Sequence, residues 1–427
     1  MLKHFALGLL AAQSVAAARF AMYIDQYHHS SLPGQERTEG IDHAIMAFAS
    51  STLFNSDSPQ PYTPFESTQT MRQRFSPNTK LLVAIGGWGD TSGFSEGAKD
   101  EASRTRYAKN VAAMLNSNGF DGVDIDWEYP GGNGNDYKKV PNSQKVDEIE
   151  TFPLFLAALR KEIGNKTLSI AVPGRKQDFI AFTKEQGPKI FEPVDFVNVM
   201  SYDLVNRRDN VTNHASGIQG SLDTINEYLA IGAPPAKLNL GFSYYARWYT
   251  TDPNSDCAVN PIGCRLVKLE NDDGTDNLKS GVVTFDNTIA PAPADLKEST
   301  NGLCGFDAKA KCPSGACCSS SGYCGTTDEY CQAECLSDYG TCAIPVLTSW
   351  RKAQRDGKTD ANGGGQYYFD SENHLFWSWD TPDLIARKFT EIVTEKNLGG
   401  VMAWSLGEDT YNFELLEAMQ KGLKSLS

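Results

Sequence analysis

The sequence has too few basic residues for a protein that binds nucleic acid. Its 427 residues include 39 Lys and Arg against 53 Asp and Glu, so the net charge is −14. A surface of that sign repels phosphate, which argues against a nucleic-acid partner and against electrostatic docking on anionic lipid. A neutral partner, such as an uncharged polysaccharide, is unaffected by the sign of the charge.

Long apolar runs and metal-binding patterns are also lacking. No run approaches the ~18 apolar residues that a membrane-spanning helix needs, so we expect no membrane partner. The six histidines show no metal-ligand spacing, and we expect neither a metal nor a cofactor. The pair His28-His29 predicts a solvated loop.

The first 18 residues have the pattern of a secretory signal peptide. Lys3 and His4 precede a short apolar stretch, and Ala16 to Ala18 offer a cleavage site. A core helix or membrane anchor is the alternative, but the apolar stretch is too short to span a bilayer. We therefore expect a secreted, extracellular protein and a monomer. Two sequons, at Asn165 and Asn210, predict glycosylation sites on that route.

Cysteine is missing from residues 19–256 and 343–427. All ten cysteines lie between Cys257 and Cys342, and eight of them fall within residues 304–342. In a secreted chain, a dense and even cluster predicts a small domain held together by disulfides. A zinc site is the alternative, but the adjacent Cys317 and Cys318 do not fit zinc-knuckle spacing. The spacing alone does not fix the pairing of eight cysteines.

Residues 304–342 resemble the hevein-type chitin-binding module. The Cys317-Cys318 pair and the steps from it to Cys324 and Cys331 agree with that family. The resemblance implies four disulfides within the module: Cys304–Cys318, Cys312–Cys324, Cys317–Cys331 and Cys335–Cys342. Two cysteines then remain, and they are expected to form a fifth disulfide, Cys257–Cys264.

The same resemblance places sugar contacts at Ser319, Ser321, Tyr323 and Tyr330. Plant members usually carry Trp where Ser321 stands, which suggests weaker binding per sugar here. Packing is the alternative role for the two tyrosines, but most rings are exposed in so small a domain.

Outside the cysteine-rich segment, short apolar runs alternate with helical patterns. Such runs are typical of buried parallel strands. The candidate strands are Phe20–Asp25, His43–Ala49, Leu81–Gly86, Gly122–Glu128, Leu168–Val172, Phe196–Tyr202, Leu238–Tyr244 and Gly400–Ser405. Amphipathic helices are predicted at Arg104–Leu115, Phe152–Ile163, Ser221–Leu229 and Pro382–Glu395. Eight strands with this spacing predict an α/β fold, the (β/α)₈ TIM barrel.

The gap between the seventh and eighth strands is too long for a simple connection, so it predicts an inserted α+β domain. The predicted division is a signal peptide at 1–18, a barrel at 19–248 and 381–427, an insertion domain at 249–303 and 343–380, and the hevein-like module at 304–342. Trp377 and Trp379 either line a cleft or pack within the insertion.

The fourth strand carries three carboxylates with one residue between each. Because side chains alternate along a strand, Asp124, Asp126 and Glu128 share one face and point into the barrel. Burying like charges together is costly and raises their pKa values. A carboxyl that stays protonated at the carboxyl end of a barrel strand is a candidate general acid. A calcium or magnesium site is the alternative, but it needs loop carboxylates with backbone oxygens.

This motif resembles the signature of family 18 glycoside hydrolases, the chitinase family. Support comes from Ala84-Ile-Gly-Gly87, with Ala for the family's Ser, from Met200-Ser-Tyr202-Asp203, from Tyr244-Tyr-Ala-Arg247, and from Trp404 on the eighth strand. The resemblance implies hydrolysis of chitin and chito-oligosaccharides by a substrate-assisted, retaining mechanism, outside the usual two-carboxylate rule.

The resemblance implies a role for each matching residue. Glu128 donates the proton, Asp126 orients the substrate acetamide, Asp124 shares a proton with Asp126, and Tyr202 donates to the acetamide oxygen. Further substrate contacts are expected at Tyr23, Trp88, Met200, Asp203, Arg247 and Trp404. Arg247 is expected either to bind sugar or to form an ion pair with an acidic residue.

These patterns predict a secreted chitinase that carries a chitin-binding module. One alternative is a non-catalytic chitin lectin on the same fold, which the intact Glu128 disfavours. Another is an endo-β-N-acetylglucosaminidase acting on N-glycans, which the module and the insertion disfavour.

Overall fold

The computed structural model describes residues 18–286, 293, 295–331, 335–343 and 345–426. The predicted signal peptide lies outside these residues except for residue 18. The chain begins with seven strands, almost all of whose residues are buried. They are β1 (Arg19–Asp25), β2 (His43–Ala49), β3 (Lys80–Gly86), β4 (Gly122–Asp126), β5 (Thr167–Val172), β6 (Phe196–Val199) and β7 (Leu238–Ser243).

Helices connect these strands and cover the outside of the sheet. They are α1 (Thr68–Arg72), α2 (Ser92–Ala98), α3 (Glu101–Asn118), α4 (Glu148–Ile163), α5 (Gly187–Phe191) and α6 (Ile218–Ala230). Local sequence fixes their ends. The Asp100 side chain accepts a 2.7 Å hydrogen bond from Ser103 N at the start of α3, and Gly119, with φ of 74°, ends it.

After β7 the chain builds a second sheet and the cysteine-rich segment. The elements are β8 (Tyr245–Thr250), β9 (Ser280–Thr284), β10 (Lys297–Glu298), β11 (Ala310–Lys311), β12 (Cys317–Cys318), β13 (Cys324–Gly325), α7 (Asp328–Cys331), α8 (Val346–Asp356), β14 (Lys358–Thr359), β15 (Gln366–Asp370) and β16 (Leu375–Trp379). The sheet is antiparallel, in the order β14-β15-β16-β8-β9. The strand β8 crosses the domain boundary that the sequence predicts between residues 248 and 249.

The chain then returns to the barrel. It passes through α9 (Pro382–Lys388) and a π-helical segment (Phe389–Thr394) to β17 (Gly400–Trp404), and α10 (Glu414–Lys424) follows. β17 pairs in parallel with both β1 and β7 and closes the sheet. The predicted eight-stranded (β/α)₈ barrel is therefore confirmed. No helix among the residues just described is long and apolar enough to cross a membrane.

Two predicted strands end two or three residues earlier than expected, and β7 and β17 each end one residue early. β4 stops at Asp126 instead of Glu128 because its neighbour β3 ends there: Gly86 is the last residue paired with it, and Gly87 turns away with φ of 93°. β6 stops at Val199 instead of Tyr202 because β5 ends before Pro173, which has no amide hydrogen to continue the ladder. Glu128 and Tyr202 therefore lie in the loops that follow the strands.

The two tryptophans of uncertain role pack within the insertion. Trp377 is fully buried, its ring lies 5.1 Å from that of Trp350 in α8, and its indole nitrogen donates a 2.9 Å hydrogen bond to Ser349 Oγ. Trp379 meets the other side of Trp350 at 5.0 Å. These rings form the core between α8 and the second sheet rather than a wall of a cleft.

Candidate active site

The face of β4 that bears the carboxylates points into the barrel. The opposite face supplies Trp127, whose ring stacks at 5.3 Å on Phe94 of α2 and meets Phe152 of α4 edge-on at 5.6 Å. Because alternate side chains take opposite faces, Asp124 and Asp126 face the interior. Both are almost fully buried.

Asp124 is held by hydrogen bonds from three other strands of the barrel, β5, β6 and β1. Its Oδ1 accepts from Ser169 Oγ at 2.6 Å and from Asn198 Nδ2 at 3.3 Å, and its Oδ2 accepts from Tyr23 OH at 2.8 Å. Burial raises the pKa of Asp124 to about 6, although these hydrogen bonds lower it. Tyr23, expected to contact sugar, is 1% exposed and acts here as a partner of this carboxyl.

Asp126 and Glu128 share the space above Asp124. Burial raises the pKa of both carboxyls well above the ordinary range. The charge of Glu128 adds to the effect on Asp126, and those of Asp203 and Asp178 add to the effect on Glu128. Within the described ranges, Asp126 Oδ1 has no hydrogen-bond partner although it is buried. An unpaired buried oxygen is costly, so the site is shaped for a donor that the chain itself does not supply.

Two consecutive glycines let β3 approach this site closely. Gly86 has φ of 110°, and a β-carbon there would lie 2.2 Å from the Asp126 carbonyl oxygen. A β-carbon on Gly87 would lie 2.9 Å from the Phe48 ring. The glycines of the Ala84-Ile-Gly-Gly87 motif therefore serve backbone geometry, whereas Ala84 is a fully buried residue of the barrel interior.

The loop after β6 brings three predicted residues to the site. Tyr202 is buried, and burial, together with the charges of Asp126 and Asp203, raises its pKa, so its hydroxyl remains a donor. Asp203 forms a bidentate ion pair with Arg247, whose Nε donates to Oδ1 at 2.7 Å. Arg247 therefore pairs with an acid, which was one of its two expected roles, and it still lines the cleft with Met200.

Trp404, at the end of β17, forms the floor of the cleft. Its ring stacks on Phe48 at 5.3 Å and lies 5.5 Å from Tyr23. Trp88 stands at the other side, 38% exposed, where it meets Tyr129 edge-on at 6.4 Å. Aromatic faces at both sides of the carboxylates are suited to stacking on sugar rings.

Together these residues line a cleft of about 420 Å³ at the carboxyl ends of the barrel strands. The structure adds lining residues that the sequence interpretation does not include. They are Phe48, Tyr129, Arg175, Asp178, Asn206, Arg207, Arg208, Tyr245, Asp276, Ser280, Gly281, Val282 and Glu408. Phe48 carries a signal in the sequence, since it stands near the carboxyl end of a predicted strand. The others lie on loops or in the insertion, where periodicity gives no signal.

A model of the glycosyl hydrolases family 18 matches residues 19–409, most of the chain. The chain belongs to this family. Among curated relatives, chitinase B of Serratia marcescens is 24% identical over 390 residues, which cover 82% of this chain and 68% of that protein.

Two other relatives match over shorter segments. Chitinase A1 of Niallia circulans is 30% identical over 202 residues, 40% of this chain and 27% of that protein. Chitotriosidase-1 of Mus musculus is 28% identical over 291 residues, 59% of this chain and 58% of that protein. The match thus spans less than two thirds of the length of both relatives.

Solved structures of family 18 proteins share the fold. The group IV chitinase of Ostrinia furnacalis has a TM-score of 0.65 at 21% identity, covering 95% of this chain and 100% of that one. A Cycas revoluta chitinase mutant in complex with (GlcNAc)4 has a TM-score of 0.64 at 20% identity, covering 95% and 99%. A family 18 N-acetylglucosaminidase of Paenibacillus barengoltzii reaches 0.65 at 21% identity, covering 95% and 99%.

His28 and His29 lie in a loop, as predicted, but the His28 side chain is only 24% exposed and is not fully solvated. In this family 18 barrel its Nδ1 lies 2.9 Å from Asp25 Oδ1 and 3.7 Å from Glu408 Oε1, and its Nε2 lies 3.9 Å from Asp286 Oδ2. Burial lowers the pKa of His28, but these carboxylates outweigh it and raise the value to about 9. Asp25, His28 and Glu408 bring potential metal-ligating atoms within 4.8 Å of one another. In this structure these atoms contact each other through a hydrogen bond and ion pairs.

The cysteine-rich segment forms the disulfide pairs that the resemblance implies. Cystine bonds join Cys304 to Cys318, Cys312 to Cys324, Cys317 to Cys331 and Cys335 to Cys342, and Cys257 is joined to Cys264. On its surface Tyr323 is 54% exposed, and its amide donates to Ser319 Oγ at 3.2 Å. Tyr330 is half-buried, with its ring against Gly325.

The asparagines of the two sequons, Asn165 and Asn210, are both exposed.

Proposed function

We propose that this chain is a secreted chitinase that hydrolyses β-1,4 linkages between N-acetylglucosamine units. The observation that carries the proposal is the stack of three buried carboxyls, Asp124, Asp126 and Glu128, beneath a cleft with aromatic sides. The raised pKa keeps Glu128 protonated where a general acid is needed. The family and the chitinases among its relatives support this substrate class.

In the proposed mechanism Glu128 donates its proton to the glycosidic oxygen. The acetamide oxygen of the substrate attacks the anomeric carbon and forms an oxazolinium ion, which a water then opens with Glu128 as the base. The unpaired Asp126 Oδ1 accepts from the acetamide N–H, and the Tyr202 hydroxyl donates to the acetamide oxygen. The raised pKa values of Glu128 and Tyr202 keep both groups protonated, as their donor roles require.

The charges around the cleft favour the substrate as the nucleophile. Asp203 is engaged in a bidentate ion pair with Arg247, and Asp178 accepts a 3.1 Å hydrogen bond from Asn133, so neither carboxylate is free to attack the substrate. A tethered acetamide oxygen is already placed next to the anomeric carbon and gains the effective molarity of an intramolecular reaction. Configuration at that carbon is then retained.

We further propose that residues 304–342 are a hevein-type module that binds chitin through Tyr323, Tyr330 and Ser319. The exposure of Tyr323 and the four disulfides within this segment support the assignment. Secretion is supported by the disulfides and by the signal-peptide pattern, and the exposed Asn165 and Asn210 are the proposed glycosylation sites. The intact acid argues against a chitin lectin. The module argues against an enzyme that acts on N-glycans.

The test compares wild type with Glu128→Gln and with Glu150→Gln, an exposed residue of α4, on chitotetraose. The amide cannot act as an acid, so Glu128→Gln should lower kcat by ~10³-fold or more while chitin binding persists. Glu150→Gln should match wild type. The same assay on the de-N-acetylated tetramer should give no cleavage, because that substrate lacks the internal nucleophile. Retention of a tenth of the activity by Glu128→Gln would show that Glu128 is not the acid.

A further inference from the structure

Three chain segments that leave the barrel at different strands meet beside the cleft. They are residues 129–147 after β4, residues 206–209 after β6, and residues 268–278 of the insertion. We use the name loop bridge for the five side chains that join them, which are Tyr137, Arg207, Arg208, Glu270 and Asp276.

Tyr137 and Arg207 connect the first two segments to the insertion. The Tyr137 hydroxyl donates a hydrogen bond to Glu270 Oε1. Arg207 Nε lies 3.4 Å from Glu270 Oε2, and its Nη1 lies 3.7 Å from Asp276 Oδ2. Glu270 is only 8% exposed, whereas the side chain of Asp276 is 40% exposed. The contacts to Glu270 are therefore the buried part of this junction.

Arg208 packs against the ring of Tyr137. Its guanidinium lies 3.9 Å from the centre of the Tyr137 ring and 5.5 Å from that of Trp88. It also donates to the carbonyl oxygens of Asn133 at 2.9 Å and Gly134 at 3.2 Å. The cation–π contact and the two hydrogen bonds together hold Arg208 in one position.

The backbone of the insertion fits closely against the same place. Gly274 has φ of 86°, and a β-carbon there would lie 2.7 Å from Lys138 Cγ and 3.5 Å from the Tyr137 ring. The loop after β4 and the insertion therefore touch through backbone as well as through charged side chains.

The position of the loop bridge follows from the strand order. β5 and β6 lie between β4 and β7 around the barrel, so a contact from the β4 loop to the insertion passes across the β5–β6 side of the cleft. Arg207, Arg208 and Asp276 line the cleft, and the Arg208 guanidinium lies 5.5 Å from the centre of the Trp88 ring, which follows β3. Trp404, Phe48 and Glu408 lie on the side formed by the ends of β2 and β17, beyond the carboxylates.

We propose that the loop bridge is an end wall that limits the length of the leaving group. This inference rests on the proposed function, in which Glu128 separates the sugar held over Trp404 from the leaving group at Trp88. The leaving group contains the reducing end, since the anomeric carbon under attack belongs to the other side. The enzyme then removes short pieces from the reducing end. We expect at most about two sugar units, because the whole cleft encloses only about 420 Å³.

The test uses chitohexaose tagged at its reducing end, with the tagged products identified by mass spectrometry at early times. For wild type, tagged products of at most two sugars should exceed longer tagged products at least tenfold. In Arg207→Ala/Glu270→Ala, which opens the bridge, the longer tagged products should rise at least fivefold. Tyr137→Phe, which removes one hydrogen bond, should shift the distribution in the same direction by less.

Lys268→Ala is the matched control, because Lys268 lies in the same insertion segment but pairs with Asp272 outside the bridge. It should keep the wild-type distribution. An even spread of tagged lengths from wild type, or an unchanged distribution in both bridge variants that still cleave chitotetraose, would overturn the end wall and leave the proposed function standing. Absence of cleavage by wild type itself would instead overturn the proposed function.

Discussion

His28 lies among buried carboxyl groups at one edge of the cleft. Its imidazole faces Asp25, Glu408 and Asp286, all of them buried. Burial raises the pKa of Asp25, but hydrogen bonds from His28 and Ser405 outweigh it and leave the value below its ordinary range. Burial and the charge of Asp25 raise the pKa of Glu408 to about 8. A protonated His28 therefore offsets negative charge at one edge of the cleft.

The stability that His28 contributes should disappear at alkaline pH. Its folded pKa of about 9 lies above the ordinary value of 6.5, so the contribution is complete below pH 6.5 and is lost as the pH rises through 9. We expect His28→Asn to lower the Tm at about pH 6 and to do so much less at about pH 10. Thermal unfolding at several pH values measures this difference.

His29→Asn is the control, since the neighbouring ring lies against Phe65, with ring centres 5.5 Å apart. Its effect on Tm should be similar at both pH values. A His28→Asn deficit that stays constant from acid to alkaline pH would mean that packing, rather than charge, makes the contribution.

At the residue scale the sequence predicts the acids but not their surroundings. Asp124, Asp126 and Glu128 are predictable because the alternation of a single strand places them together. The environment of His28 is not predictable in this way. Its partner Asp25 also accepts a hydrogen bond from Ser405, which lies 380 residues away from Asp25 along the chain. The ion pair of Asp203 with Arg247 likewise joins the loop after β6 to strand β8, and no local pattern encodes that contact.

At the scale of elements, the turn at the end of β3 sets the position of the carboxylates. Gly86 lies against the Asp126 carbonyl, and Gly87 N donates to that same oxygen at 2.8 Å. The end of β4 is thus held by the backbone of its neighbour. Any side chain at Gly86 must displace the strand that carries the acids.

Gly86→Ala should damage both stability and catalysis. Alanine at positive φ costs about 1–3 kcal/mol, and the contact with Asp126 adds to that cost. A shift of the catalytic strand should lower kcat by about tenfold or more. Gly89→Ala is the control, since a β-carbon there meets nothing within 4 Å. Tm and kcat values equal to those of the control would contradict this account of the turn.

The sequence predicts the elements of the barrel better than those of the insertion. Barrel strands are apolar along their whole length, which is a strong local signal. Strands β10 to β14 have only two residues each, too few to show periodicity. The early ends of β4 and β6 depend on where the neighbouring strands stop, which is a property of the sheet rather than of one strand.

For the whole molecule, the proposal assigns two sugar-binding surfaces to different parts of the chain. The cleft lies in the barrel, and the exposed Tyr323 lies in the cysteine-rich segment, which is tied to α8 by the ion pair of Arg351 and Asp338. Because the segment and the cleft use separate residues, their contributions should separate in experiments on soluble and insoluble substrates.

Tyr323→Ala should weaken binding to chitin particles about fivefold, which corresponds to ~1 kcal/mol for one stacked ring. Ser321→Trp, which restores a ring at an exposed position, should strengthen binding by a similar factor. Both variants should keep kcat/KM on a soluble tetramer within about threefold of wild type. Pull-down with chitin particles and an oligomer assay make the comparison. An equal loss on soluble and insoluble substrates would indicate that the segment braces the insertion instead.

The pairing of β1 with β17 has a consequence for how the protein is made. Arg19 pairs with Gly400. The first barrel strand to leave the ribosome therefore cannot complete its pairing until the last strand has been synthesised. Contacts this distant in sequence form slowly, and until they form, the edges of β1 and β7 stay open to pairing with other chains. The cysteine-rich segment has no such delay, since its cystines close over 7 to 14 residues. Trp404 arrives with β17, so a nascent chain can form its disulfide-bonded segment before the wall of the cleft is complete.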